Sequence, residues 1–307
     1  MNNSVLKRSR WSEFFPWSRF SEFINLAADR FALLEGILKE SDLSYKVLDI
    51  AGNRHFFVSA QPHSSINKEE FPDSRPVILV AHYDRAEKSP GANDNSAAVF
   101  MLIETAMKLK AKKKAGNWAL IFTDKEELHS GESICDQGAY TLAQRLRESG
   151  MEAARIFNFD ACGTGDTIII STTAEHLLKT DGGSERLYAA IRNLQELCLK
   201  IARAKPMVNI RLAPTPFSDD AGFLRAGLAA QTITVLPSEE CTGLLSQIRK
   251  KPSFAEALVS RKEQEALDLK SIPCTWRNMN GPGDNYSKLT PENFSTVIGF
   301  AEALCGV

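Results

Sequence analysis

The sequence predicts an α/β protein whose mostly parallel sheet is covered by helices on both faces. Three observations carry this. Strand-length apolar runs alternate with helical patterns from Arg75 onward. The runs are continuous rather than alternating apolar and polar, as in strands buried on both faces. Polar and acidic residues cluster directly after these runs, where ligands gather in such sheets.

Residues 18–40 show helical periodicity, with Phe20, Phe23, Ile24, Leu33, Leu34 and Ile37 as apolar points. Tyr45 to Ala51 and His55 to Ala60 are strand-like, and a polar stretch follows to Arg75. Val77 to His82 is a strand, Asn95 to Lys113 a helix, Trp118 to Thr123 a strand and Ser133 to Ser149 a helix. Arg155 to Asp160 and Thr167 to Ser171 continue the sheet. Ser184 to Ala204 is a long amphipathic helix with Leu187, Ile191, Leu194, Leu197, Cys198 and Ile201 on its apolar face. Val208 to Leu212 and Gln231 to Leu236 are the last strands. Ser238 to Lys270 reads as a helical insertion. Thr290 is the expected N-cap of the final helix, with Pro291 at its first position. No repeat divides the chain. Residues 1–307 read as a single domain, with 1–74 a sheet-extending start and 75–307 the core that bears the chemistry.

Composition narrows the function. Lys and Arg number 37 against 38 Asp and Glu, so no basic surface calls for nucleic acid. The one basic run, Lys108 to Lys114, closes a helix and complements its dipole. No apolar stretch is long enough to cross a bilayer, and the basic, aromatic start lacks the apolar segment of a signal peptide. The six cysteines form no CxxC pair and read as reduced thiols, so the expected location is the cytoplasm.

The chemistry lies at the strand ends. Val77–Ala81 runs into His82-Tyr83-Asp84, and a loop then gives Gly91-Ala92-Asn93-Asp94-Asn95. Trp118–Thr123 runs into Asp124-Lys125-Glu126-Glu127, and Ile156–Phe159 into Asp160. One imidazole and several carboxylates therefore converge on one rim of the sheet. Without a cation their charges would repel, and some would have to stay protonated. Imidazole with carboxylates suits zinc, manganese or another first-row ion. Asp84, two residues past His82, can accept from the distal ring nitrogen and orient the ring. Of the adjacent Glu126 and Glu127, one can hold metal while the other acts on water as a general base.

These runs resemble the M28 family of metallopeptidases, the co-catalytic zinc aminopeptidase type. Asn158-Phe159-Asp160 continues the likeness. Ser218-Asp219-Asp220-Ala221-Gly222-Phe223 is similar to the family's SDHxxF segment, and Met279-Asn280-Gly281-Pro282-Gly283-Asp284 to its closing HTxxD motif. The resemblance spans about residues 75–305. It implies a three-layer α/β/α sandwich, peptide or small amine-bearing substrates, and one or two zinc ions. It also implies that Asp94 bridges two metals, His82 and Asp160 complete one site, Glu127 serves the other, and Glu126 is the general base. Asp84, Asp219 and Asp284 take supporting places behind the ligands.

Two positions depart from the pattern. Asn280 stands where the family has its last histidine ligand, and no histidine follows His176. Asp220 stands where the family often has histidine. An amide oxygen is a weaker donor than imidazole, so the Asp94–Glu127–Asn280 site is expected to be weak or vacant and the His82–Asp94–Asp160 site intact. The leading reading is an aminopeptidase that cleaves an N-terminal residue through a metal-activated water. Two alternatives stay open: a catalytically silent peptide- or amino-acid-binding protein on the same fold, and a glutaminyl-cyclase-like cyclotransferase. His129, Cys135, Cys162 and the Gly163-Thr164-Gly165 run carry no partner motif and read as structural. Phe217 and Trp276 read equally as core or pocket.

Overall fold

The computed structural model describes residues 11–59, 75–112, 117–180, 184–204, 208–259 and 271–306. Expectations placed on residues 1–10, Ala60, Lys113, Lys114 and 260–270 lie outside the described residues.

Eight strands form one mixed sheet: β1 (Ser44–Ile50), β2 (Asn53–Ser59), β3 (Val77–His82), β4 (Trp118–Thr123), β5 (Arg155–Phe159), β6 (Thr167–Ser171), β7 (Asn209–Ala213) and β8 (Ala230–Leu236). Their order is β1-β2-β4-β3-β5-β8-β6-β7. The central four, β4, β3, β5 and β8, run parallel. The antiparallel pairs lie toward the edges, β1 with β2, β2 with β4, and β6 with β8. Ile50 pairs with Asn53 across a two-residue turn in which Ala51 and Gly52 both have positive φ, 52° and 82°. That turn matches the twist of a tight hairpin.

Strand β3 shows why the sheet needs cover on two sides. Val77, Leu79 and Ala81 pack in one cluster with the helices Ala97–Ala111 and Phe294–Leu304, while Ile78 and Val80 pack in another with Gly138–Glu148. Successive strand residues face opposite ways, so a continuous apolar run requires two helical layers. Strands β3 and β4 are buried at every position, which accounts for their unbroken hydrophobicity. The expected sandwich is therefore observed. Among the described residues, no helix is long and apolar enough to cross a membrane.

Three local expectations need correction. The helix expected over residues 18–40 is interrupted: Phe20–Phe23 is one turn, and Arg30–Glu40 begins afresh where the Asp29 side chain accepts from Ala32 N at 3.0 Å. A side-chain cap outweighs apolar spacing there. The helix expected over Ser133–Ser149 starts at Gly138, after a 3₁₀ turn over Ile134–Asp136 in which Ser133 and Asp136 cap each other. Thr290 does not cap the final helix with its side chain. Its hydroxyl accepts from Gly165 N at 2.7 Å, and a 3₁₀ turn over Pro291–Asn293 precedes Phe294–Leu304.

Candidate metal centre

Strands β4, β3 and β5 are adjacent and parallel, so their carboxyl ends open on one rim. His82 is the last residue of β3 and is wholly buried. Its Nε2 stands 3.1 Å from Asp94 Oδ1 and 3.8 Å from Asp160 Oδ1. One ligand atom from each of His82, Asp94 and Asp160 lies within 4.8 Å of the others. Ligands about 2 Å from a tetrahedral ion stand about 3.3 Å apart, a spacing these distances bracket. Nε2 of His82 and Oδ1 of Asp160 are buried and lack a hydrogen-bond partner. Buried lone pairs left unused and aimed at a common point fit a cation better than they fit one another.

The loops that carry these residues are pinned from several directions. Asn95 donates from Nδ2 to Phe159 O at 2.8 Å, and Asn93 Oδ1 accepts from Gly163 N at 2.7 Å. The two amides beside Asp94 thus tie its loop to the end of β5. Asp284 accepts from Asn93 N at 2.7 Å and from Asp94 N at 2.9 Å, one with each carboxylate oxygen. Gly91 turns the chain with φ +61°, and a Cβ there would stand 2.7 Å from Asp94 O. Only glycine combines that backbone with that approach. On the other flank, Asp84 Oδ1 faces His82 Nδ1 at 3.3 Å, and its Oδ2 accepts from Glu127 N at 3.0 Å. Asp84 thereby links the imidazole to the Glu126-Glu127 turn.

Arg30 is a contributor that the sequence reading overlooked. It lies on the N-terminal helix Arg30–Glu40 and is buried. Its Nη1 donates to Tyr83 O and Asp84 O, both at 3.0 Å. Its Nη2 donates to Pro90 O at 2.8 Å, Gly91 O at 3.3 Å and Ser96 Oγ at 2.7 Å. One guanidinium therefore clamps both the His82–Asp84 and the Gly91–Ser96 segments. Burial lowers its pKa to about 9, which leaves it charged at neutral pH. A single arginine outside any motif leaves no signal in one sequence. Gln137 is the second omission: its Nε2 donates to Glu126 Oε1 at 3.2 Å.

The carboxylates sit in a cleft of about 190 Å³ lined by Asp94, Glu126, Glu127, Asp160, Pro216, Phe217, Met279 and Asn280, among others. Burial raises Glu126 well above its ordinary pKa, with His82 opposing and the Glu127 charge adding. Burial and then Asp94 raise Glu127 to about 9. For His82, burial lowers its pKa, but its contacts with Asp160, Asp84 and Asp94 outweigh that and raise it well above 6.5. So many acids forced toward their neutral forms is the electrostatic signature of a place suited to a cation.

Asp219 and Asp220 lie beneath the rim, fully buried. Asp219 Oδ2 accepts from Thr123 Oγ1 at 2.5 Å, and Asp220 Oδ1 accepts from Ser218 N at 3.0 Å. Burial raises both to about 7. Asn280 has φ +60° and faces Glu127. With the amide nitrogen directed inward, it donates to the two Glu127 oxygens at 2.7 and 3.0 Å. The Gly163–Gly165 segment serves packing: a Cβ on Gly163 would lie 2.6 Å from Ala97 Cβ. Cys162 is buried, and burial raises its pKa well above 9, which suits no thiol nucleophile.

Solved structures share this architecture. The leucine aminopeptidase precursor of Bacteroides thetaiotaomicron aligns with TM-score 0.61 at 14% identity, covering 94% of each chain. The glutaminyl cyclase of Porphyromonas gingivalis gives 0.63 at 13%, covering 94% of this chain and 95% of its own. BSAP, a zinc aminopeptidase of Bacillus subtilis, gives 0.50 at 18%; the match covers 82% of this chain but only 48% of that one. At such identities the likeness is one of fold. The chain thus spans about half the length of the Bacillus enzyme. A comparison with curated protein sequences returns no match. Residues 64–291 match the family model described as peptidase family M28. That match covers well over half of the sequence and includes each residue placed on the rim, so the chain belongs to peptidase family M28.

Proposed function

We propose that the protein is a metal-dependent aminopeptidase, in which His82, Asp94 and Asp160 hold a zinc ion or a similar divalent cation. The observation that carries this reading is the convergence of those three ligand atoms within 4.8 Å, at the floor of an acidic cleft. When bound, the ion supplies Lewis acidity to the scissile carbonyl and lowers the proton affinity of the attacking water. Glu126 lines the same cleft and takes the proton from that water on the oxygen that Gln137 leaves open. The same carboxyl group then delivers the proton to the departing amine. Asp84 fixes the ring of His82, and Asp284 fixes the backbone on either side of Asp94. Phe217, Pro216 and Met279 give the cleft an apolar wall against which a substrate side chain can lie.

The described segment 11–59 belongs to the same working unit, because Arg30 holds both ligand loops. The cysteines are free thiols among the described residues, in keeping with a reducing, cytoplasmic setting.

Glu126→Gln tests the reading. It is expected to keep the fold and the metal while turnover of aminoacyl p-nitroanilides falls by about a hundredfold or more. Residual activity near the wild-type level would remove Glu126 from the mechanism. The near-complete overlap with a cyclase fold favours one second reading, a glutaminyl-peptide cyclotransferase. Release of ammonia from a Gln-initiated peptide, without hydrolysis of any aminoacyl anilide, would select it.

A further inference from the structure

Asn280 departs from the family pattern, and the structure gives that departure a specific geometry. Its backbone is left-handed, which places the short amide directly over Glu127. Oxygen-inward, the amide would set oxygen against oxygen at 2.7 and 3.0 Å; nitrogen-inward, it makes two hydrogen bonds to the carboxylate. Glu127 is held from the other end as well, through its backbone N–H to Asp84 Oδ2. Its carboxylate is thus oriented by protein groups alone. Each carboxylate oxygen can accept more than one hydrogen bond, so the Asn280 amide leaves capacity toward the cleft.

Charge points to what fills that capacity. Asp94, Glu126, Glu127 and Asp160 all line the cleft, and its lining among the described residues includes no lysine or arginine. A divalent ion among His82, Asp94 and Asp160 balances the two aspartates it touches. Glu126 is needed as the base. With Asp94 balanced by that ion, the repulsion that helps hold Glu127 in its neutral form is relieved, and Glu127 is left as the ionisable acid facing the cleft, paired with a neutral amide.

Resting on the aminopeptidase reading, we propose that the Asn280–Glu127 pair replaces a second metal, and that Glu127 receives the α-ammonium group of the substrate. The protein then works with one metal ion per chain. Its demand for a free N-terminus comes from an ammonium–carboxylate contact rather than from an amine on a metal. The neutral amide suits this role: it orients the carboxylate without cancelling its charge, whereas an imidazole at the same place would offer a lone pair to a second cation.

The test combines metal content with ligand binding, so it does not depend on turnover. Wild type, Asn280→His and Glu127→Gln are re-equilibrated with zinc, and metal per chain is measured by plasma mass spectrometry. Calorimetry on the zinc-loaded proteins, each also carrying Glu126→Gln so that the ligand is not hydrolysed, then compares leucinamide with 4-methylpentanamide, which lacks only the amine. One zinc is expected in wild type and in Glu127→Gln, and two in Asn280→His. Leucinamide should bind Glu127→Gln about tenfold or more weakly than wild type, while 4-methylpentanamide binds the two alike. Two zinc ions in wild type, loss of zinc in Glu127→Gln, or a content still at one in Asn280→His would overturn the proposal. So would equal binding of leucinamide by wild type and Glu127→Gln. Those results leave the aminopeptidase reading standing, whereas absence of zinc from wild type would overturn both.

Discussion

Replacing Arg30 by methionine keeps an apolar stem of similar length beside Phe23, over whose ring the guanidinium now sits at 4.7 Å, and removes all five of its hydrogen bonds. Gly91 O keeps two donors, Ser96 N at 3.1 Å and the Ser96 hydroxyl, and so stays satisfied. The carbonyls of Tyr83, Asp84 and Pro90 each take their hydrogen bond from Arg30. Leaving one buried and two half-buried acceptors unmatched, at about 1–2 kcal/mol for the first and less for each of the others, gives a loss of about 3 kcal/mol. Urea unfolding of the chelator-treated protein measures this without the contribution of bound metal. Lysine at the same place brings one nitrogen where arginine brings two, so it serves one loop or the other and should recover no more than about half of the loss. Because the two loops carry His82 and Asp94, zinc affinity measured against a chromophoric chelator should fall by about tenfold or more. A methionine variant that loses less than about 1 kcal/mol and binds zinc like wild type would refute the clamp.

Two further predictions concern groups around the centre. Asp284→Asn exchanges one acceptor oxygen for an N–H₂ group facing a backbone N–H. It should therefore destabilise the protein by about 1–2 kcal/mol and weaken zinc binding about tenfold, as chelator competition would measure. His55, buried behind the turn at Asp124, accepts from Asp124 N at 3.2 Å, and burial lowers its pKa from 6.5 to about 4. The unfolded chain protonates this group at 6.5 while the folded chain keeps it neutral, so stability is full above 6.5 and falls as pH drops toward 4. At about 1.4 kcal/mol per pH unit the loss is about 3 kcal/mol. His55→Gln should flatten that limb of the stability–pH curve, and an unchanged slope in urea midpoints across the window would contradict the assignment.

The sheet was legible because its central strands are buried on both faces. A strand such as Val77–His82 has no polar position to blur its outline, and Trp118–Thr123 matches its predicted bounds residue for residue. Residues 18–40 were not legible as two pieces. Apolar spacing continues across the break, while the cap at Asp29 is a local hydrogen bond that competes with it. Single residues acting across long sequence separations were also hidden. Arg30 reaches 53 to 66 positions along the chain to bind its partners, and nothing near it in the sequence marks that reach.

By itself, the sequence marked out the candidate site, since His82 ends an apolar strand, Asp94, Glu126, Glu127 and Asp160 lie in segments that follow such strands, and parallel strands open their carboxyl ends together. It pointed to the family because several motifs fall in the family's order along the chain. Only the tertiary structure decided how these groups are paired. The spacing of Asn280 along the chain does not say that its side chain comes to lie against both Glu127 oxygens, and Asp284 could have pointed at a metal rather than at two backbone N–H groups. Those choices depend on distances of 2.7 to 3.0 Å between residues far apart in sequence, set by how the closing loop folds back over the rim.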